Sequence, residues 1–297
     1  MVSTLDVASA SIGMEAVDKI SRHPPDAVAR ALRQEAGFGC PVIGCGSPYL
    51  TWHHFDPPWR ERNHHEPSGM IALCREHHDQ ADSGAFTKDQ LRKLKASPAS
   101  HVPSGKFNWL RSELAVLIGS NYFIRSPIVL TFLDDPLIWF SRDSFGNLLL
   151  NLSRVDRDRR VHGVMRENFW MLLDAPADVT CPPSGRLLDV RYRNGDRLKV
   201  EFREMLSSED GAIATNNDWP SDVFKDYPIT LCEVTYKIAG TSIDITPSGF
   251  SAGALSAKYC NFVECGPLSI GSFPGAGWTM PQNTIGKRKR NRLKSRT

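Results

Sequence analysis

Long apolar runs are missing from this sequence. No stretch of its 297 residues reaches 18 consecutive apolar positions, so none reads as a membrane-spanning helix. Nor does the start of the sequence read as an export leader. Met1-Val2-Ser3-Thr4-Leu5-Asp6 offers neither a basic start nor an apolar segment, and the expectation is a cytoplasmic protein with no membrane partner. No internal period is regular enough to count as a repeat. An excess of one charge sign is also absent, since 36 basic and 33 acidic residues leave a net of +3. With 41% hydrophobic and 23% charged residues, the composition excludes a disordered or fibrous chain and supplies enough apolar material for a core.

The charge is unevenly placed. Lys287, Arg288, Lys289, Arg290, Arg292, Lys294 and Arg296 concentrate basicity in positions 287–297, leaving 29 basic against 33 acidic residues elsewhere, a net of −4. Such a tail suits phosphate contact or plain solubility. Histidine is more uneven still. Six of the nine histidines fall between His53 and His78, where an even spread would place fewer than one. Cys40, Cys45 and Cys74 lie in or beside the same stretch. In a chain without a leader, seven cysteines read as thiols or metal ligands rather than disulfides.

Periodicity and punctuation divide the chain. Residues 1–36 form a lead and a helix, with Pro24-Pro25 opening a run whose Val28, Leu32 and Ala36 share a face. Residues 37–96 read as strand, loop, strand and helix. Tyr49–Trp52 and Met70–Leu73 are the strands, Arg75–Asp82 is the helix, and Thr87 with Gln90 caps a further one. Residues 97–120 are a linker followed by a helix, since Phe107, Leu110, Leu114 and Leu117 recur at helical spacing. Residues 121–280 carry short β-type runs separated by Gly, Asn, Asp and Pro, and 281–297 is the basic tail. The expected class is α+β: a small metal-stapled domain followed by an all-β domain, either sandwich or solenoid.

The cysteines supply the first chemistry. Cys40-x4-Cys45 is a knuckle with Gly44 before its second thiol, and Cys74-x2-His77 is a second pair at a predicted helix start. Two close pairs about thirty residues apart are what a tetrahedral zinc site requires, and closing the long loop through metal stabilises a small unit. The histidines supply the second. His53-His54 end the first strand and His78 lies on the helix, an arrangement able to hold one metal ion beside one free imidazole. Phosphodiester hydrolysis needs both, a cation for the developing charge and a base for the water proton. At neutral pH an ordinary imidazole is free to accept that proton.

Taken together, Cys40-x4-Cys45, Trp52-His53-His54-Phe55-Asp56-Pro57 and Met70-Ile71-Ala72-Leu73-Cys74-Arg75-Glu76-His77-His78 resemble an HNH endonuclease over residues 40–92. The resemblance implies a ββα-metal core with a structural zinc ion at Cys40, Cys45, Cys74 and His77. It implies His54 as general base, and His53 and His78 as ligands of a catalytic divalent ion such as Mg2+. Asp82, four residues after His78 on the same helix face, reads first as a solvated helix-end acid and second as a further candidate ligand, directly or through water. One departure is plain: Gly69 stands where the family carries its central Asn. Asn63, His64 and His65 in the loop are the candidates to replace it, with Asn63 carried as the catalytic one, while His64-His65 otherwise read as surface loop residues.

The implied activity is hydrolysis of nucleic acid, DNA in the first place, leaving a 5′-phosphate and a 3′-hydroxyl. The alternatives are an RNA-directed nuclease and a non-catalytic zinc module for nucleic-acid or protein interaction. Trp52 and Trp59 read as packing residues, Cys181 and Cys232 as core, and Cys260-x4-Cys265 as a coincidental echo of the knuckle. In the β-rich half, a protein or ligand partner is open. Its Asp and Asn residues (Asp134, Asp135, Asp143, Asn168 and Asp174 among them) sit at apparent turns, where they satisfy backbone groups locally. Arg154, Arg157, Arg159 and Arg160, interleaved with Asp156 and Asp158, read as a solvated turn.

Overall fold

A computed structural model describes residues 20–99, 102–132, 135–155, 160–215, 219–239, 243–252 and 255–270. The basic tail, together with Asp134, Asp156, Arg157, Asp158 and Arg159, lies outside the described residues.

Residues 24–99 build one small unit. Helix α1 (Asp26–Glu35) follows Pro24-Pro25 and turns Ala29 and Leu32 inward. The chain then reverses through Gly37 and Phe38, both at positive φ, into the cysteine knuckle. Strands β1 (Leu50–His54) and β2 (Met70–Cys74) pair antiparallel, with Leu50 opposite Cys74 and His54 opposite Met70. Every residue of β2 is buried, because it lies between β1, α1 and the two helices that follow. Helix α2 (Arg75–Asp82) starts directly at the end of β2. Helix α3 (Lys88–Lys95) begins at the Thr87/Gln90 capping box that the sequence signals, two orphan amide donors each finding a side-chain oxygen. Leu32, Leu50, Phe55, Met70, Ile71, Leu73 and Leu91 form the core of this unit. Its last residue returns to the end of α1, where the Ala99 amide donates to the Ala36 carbonyl at 3.0 Å.

The rest is β-rich. Among the described residues there is a seven-stranded and a ten-stranded sheet, both mainly antiparallel. The central strands of the first are Asp135–Arg142, Leu148–Val155 and Val161–Arg166; those of the second are Leu187–Arg191, Arg197–Met205 and Ile229–Lys237. One apolar cluster fills the space between them. Leu150, Leu152 and Trp170 come from the first sheet, and Val190, Phe202 and Val234 from the second. Two sheets sharing one core make a sandwich; in a solenoid each repeat would touch only its neighbours.

Two expectations fail here for physical reasons. The helical spacing of Phe107, Leu110, Leu114 and Leu117 does not produce a helix. The segment is extended, with strands Ser104–Lys106 and Ala115–Ile118, the latter parallel to Ile229–Lys237. Phe107 and Leu114 enter the inter-sheet core, Leu110 is exposed, and the Phe107 and Leu148 amides bond to Asn168 and Arg111 carbonyls. Long-range pairing therefore overrides a local period. Arg154 is no solvated turn residue either. It is buried, forked onto Asp174 at 3.0 and 3.1 Å, paired with Asp196, and laid 3.6 Å over the Tyr192 ring. Arg160 alone of the described members of that patch is exposed. Asp143 behaves as expected and accepts from the Phe145 and Asn147 amides of its own turn. A helix over Ser208–Thr215 carries no apolar face that the sequence could have shown.

The small unit is seated on the sandwich. Arg33 of α1 forks onto the buried carboxylate of Asp178 at 2.9 and 2.7 Å, and Gln34 donates to the Ala177 carbonyl. The Lys106 amide donates to the Tyr49 hydroxyl at 2.9 Å. Among the described residues no helix is long and apolar enough to cross a membrane.

Candidate metal centre

The knuckle is a backbone construction. The Cys45 amide donates to Val42, Gly46 to Cys40, and Cys40 to Ser47, and the bend puts Gly44 and Gly46 at positive φ, where a Cβ would strain the backbone. This turns the Cys40 and Cys45 thiols toward the end of β2. There Cys74 is the last strand residue and His77 lies one helical turn on. The four donor atoms come within 4.8 Å of one another. Cys45 Sγ to Cys74 Sγ is 3.7 Å, Cys40 Sγ to His77 Nδ1 is 3.5 Å and Cys74 Sγ to His77 Nδ1 is 3.1 Å. Zn–S and Zn–N bonds of about 2.3 and 2.0 Å in a tetrahedron give edges of roughly 3.5–3.8 Å, so the set fits a zinc ion. Burial pushes the Cys40 thiol up to about 12 and raises Cys74 as well. Without a cation these sulfurs would stay protonated, so metal binding there must release protons.

A second donor set joins the end of β1 to α2. His53 Nδ1 is 3.1 Å from Asp82 Oδ1, and His78 Nε2 is 3.5 Å from Asp82 Oδ2. Both nitrogens are buried and make no hydrogen bond. Burial first, then the neighbouring His78, lowers the His53 pKa to about 4, with Asp82 acting in the opposite direction; burial likewise lowers His78. Asp82 is half-exposed, but it is the acid on which both imidazoles converge. His78 is held by a residue that the sequence reading passed over. The Thr51 hydroxyl donates to the Leu73 carbonyl and lies 2.7 Å from His78 Nδ1. Its hydrogen is thus committed and its lone pair accepts from Nδ1–H, which leaves the His78 Nε2 lone pair facing Asp82. The signal was present: Thr51 and His53 are two apart on one strand and so share a face.

His54 is separate from that set, yet opens onto the same cleft. The strand is regular to His54 and then bends, the Phe55 and Asp56 amides both donating to the Gly69 carbonyl at 2.9 and 3.2 Å. His53 and His54 therefore line one cleft of about 450 Å3, with Trp59, Arg22, Arg60 and Lys88 around it. Neither ring nitrogen of His54 has a partner. Its pKa is pushed to about 4, chiefly by burial and then by His64. Trp59 lies 4.7 Å from His54, centroid to centroid, and stacks on His65. It is a wall of the cleft and not only core packing.

The loop histidines and Asn63 depart from expectation. Asn63 is exposed, donates to the Trp59 carbonyl at 3.2 Å, and does not line the cleft. His64 is buried behind His54 with ring centroids 5.2 Å apart, so it is no surface residue. His65 is half-buried, its Nε2 2.9 Å from the Ser21 carbonyl. Gly69 can carry no side chain, because a Cβ there would stand 2.1 Å from the Asp56 carbonyl oxygen and 2.9 Å from His64 Cε1. Cys181 and Cys232 are core residues, and Cys260 and Cys265 join no donor cluster among the described residues. Compared with family models, with curated proteins and with solved structures, the chain matches none of them.

Proposed function

We propose that residues 37–96 form a metal-dependent HNH endonuclease that hydrolyses phosphodiester bonds, with DNA as substrate. One observation carries the reading. A buried imidazole with no partner, His54, opens onto the same cleft as His53 and Asp82, whose donor atoms lie within 4.8 Å of each other and of a donor atom of His78. A carboxylate and two neutral imidazoles suit Mg2+ or a comparable divalent ion, and when bound there it neutralises charge building on the phosphate and its leaving oxygen. His54 takes the proton of the attacking water at a ring nitrogen. Burial keeps that nitrogen unprotonated at neutral pH. Arg22, Arg60 and Lys88 draw the polyanion into the cleft, and Trp59 limits its depth. The thiolates of Cys40, Cys45 and Cys74, with His77, hold a structural zinc ion that joins the start of the unit to the foot of α2, the helix that places His78 and Asp82. Products carry a 5′-phosphate and a 3′-hydroxyl.

Nicking of supercoiled plasmid with and without Mg2+ or Mn2+, run beside His54→Ala, tests the proposal. Metal-dependent nicking lost in the variant is expected. Equal nicking by the two proteins removes His54 as the base, and no cleavage of DNA or RNA by either leaves a non-catalytic zinc module.

A further inference from the structure

We propose that the sandwich carries a ligand site of its own, a cavity of about 490 Å3 that takes a small monocarboxylate with an apolar body, its carboxylate on Arg142. The proposal is independent of the nuclease reading, and the cavity shares no lining residue with the cleft. Its walls come from both sheets. The antiparallel strands Ala115–Ile118 and Asn121–Ile124, joined to the second sheet through Ile229–Lys237, supply one wall. The end of Asp135–Arg142 and the start of Leu148–Val155, in the first sheet, supply the other. Arg125, Ser126 and Pro127 line it where the chain crosses from the second sheet to the first.

Floor and rim differ in chemistry. The buried lining residues are apolar: Leu114, Val116, Phe123, Phe140 and Phe224. An apolar body laid against them leaves water as a core side chain does, and the volume falls in the range of roughly 300–1,000 Å3 usual for ligand pockets. The charged lining residues, Glu113, Arg125 and Arg142, are exposed. Arg125 is already matched, with Nε donating to Glu113 and Nη1 to Glu264, each at 3.1 Å. Arg142 is not. Its Nη1 donates to the Ser112 and Gly146 carbonyls at 3.0 and 2.5 Å, both uncharged acceptors. Among the described residues no carboxylate pairs with it, since that of the adjacent Asp143 accepts from the Phe145 and Asn147 amides.

Of the charges that line the cavity, Arg125 and Glu113 therefore cancel, and one positive charge is left. That suits a ligand with a single negative charge. The Nε and Nη2 groups of Arg142 have no partner among the described residues, and they are the pair with which Arg33 forks onto Asp178 at 2.9 and 2.7 Å. A planar carboxylate fits that edge with two parallel bonds. The two carbonyls hold the guanidinium beforehand, which lowers the ordering cost of binding. The chain's own end is the less favoured occupant. The last described strand, Leu268–Ile270, runs parallel to Ile128–Phe132 and ends opposite Phe132, away from Pro127.

The test titrates the full chain with naphthoate, with the neutral naphthamide of the same shape, and with decanoate, followed by calorimetry and by backbone amide shifts. Naphthoate is expected to bind about tenfold more tightly than naphthamide, the worth of a hydrogen bond to a charged group at a partly exposed rim. Amide shifts should centre on residues 112–127 and 140–148. Arg142→Gln should abolish the preference for the acid and leave naphthamide binding as before. Ser112→Phe, at an exposed rim position, should obstruct both. Because acid and amide are compared on the unmodified chain, the result does not depend on a variant that folds. Equal affinity for acid and amide overturns the proposal, as does acid binding that Arg142→Gln leaves unchanged. No binding by either acid overturns it too, and so do shifts centred on Arg22, Arg60 and Lys88 in the cleft. Binding that appears only after deletion of 271–297 would give the cavity to the chain's own end, and the proposal would fall.

Discussion

At the residue scale, His53 and His54 are neighbours with different partners, and the difference can be measured. His53 shares Asp82 with His78, whereas His54 faces the cleft alone. Loss of a positioned base typically costs about 10²–10⁴-fold in rate. His54→Ala is therefore expected to lose the chemical step while still binding divalent metal and DNA. His53→Ala and His78→Ala should instead raise the Mg2+ concentration needed, with part of the rate regained in excess metal; rate against Mg2+ concentration separates the two classes. Thr51→Val belongs with the second class. It removes the acceptor that fixes the His78 tautomer, and loss of such an outer partner costs about 10–100-fold in metal affinity or activity. The pH dependence follows from burial. His54 is pushed down to about 4 from an ordinary value near 6.5, so between those values it stays unprotonated where a solvated imidazole would gain a proton. At saturating Mg2+ the rate should therefore hold as pH falls from 7 toward 5. An acid limb centred near 6.5 would show that His54 is not the base, or is not buried during turnover.

At the element scale, the small unit is short and its core is small. β1, β2 and α2 amount to 18 residues, so the four-donor cluster at their base has more to hold than a comparable crossing in a large domain. Removal of zinc by strong chelation, or Cys74→Ser, is expected to unfold residues 40–85 and leave the sandwich intact. Segment-resolved hydrogen exchange reads this directly, and full protection of 40–85 in zinc-free protein would contradict it. α1 has a different task, tying the unit to the sandwich through Arg33. Hydrogen bonds to a charged, partly buried partner contribute about 1.5–3 kcal/mol, so Arg33→Ala should lower the denaturation midpoint of the small unit by a corresponding amount. Arg30, 3.3 Å from the same carboxylate but half-exposed, should matter much less when replaced.

At the scale of the whole molecule, the nucleic acid of the proposed function would meet an acidic body and a basic tail. Apart from positions 287–297 the chain is net negative, so under the proposed function long-range attraction to nucleic acid would come from the tail and from the few cations around the cleft. Each phosphate contact adds a slope of roughly 0.9 in log K against log salt for duplex DNA. Deleting 287–297 is expected to weaken DNA binding and flatten that slope, with cleavage at saturating DNA unchanged. Equal affinity and slope before and after truncation would leave the tail with solubility alone. The sandwich holds the small unit through Asp178 and Lys106, which makes it a platform for the cleft rather than a tethered neighbour.

Local chemistry was legible in the sequence wherever the interaction is local. The capping box at Thr87, the start of α2 at Arg75, the 40/45 and 74/77 pairs and the clustering of histidine all depend on neighbours within a few residues or on residue type. Their placement follows from spacing alone. What tertiary structure decided involves partners far apart in the chain. Phe107 to Leu117 keep a helical period, yet lie extended because partners far along the chain, Asn168 for Phe107, Leu148 for Arg111 and Ile229–Lys237 for Leu117, claim their backbone groups. Arg154 reads as a solvated turn residue until Asp174, Asp196 and Tyr192 fold around it. Asn63 and His64 are adjacent and equally polar. Only the packing of the loop beneath His54, with room made by Gly69, puts one in solvent and the other in the core, because a loop has no period from which to read its inward side.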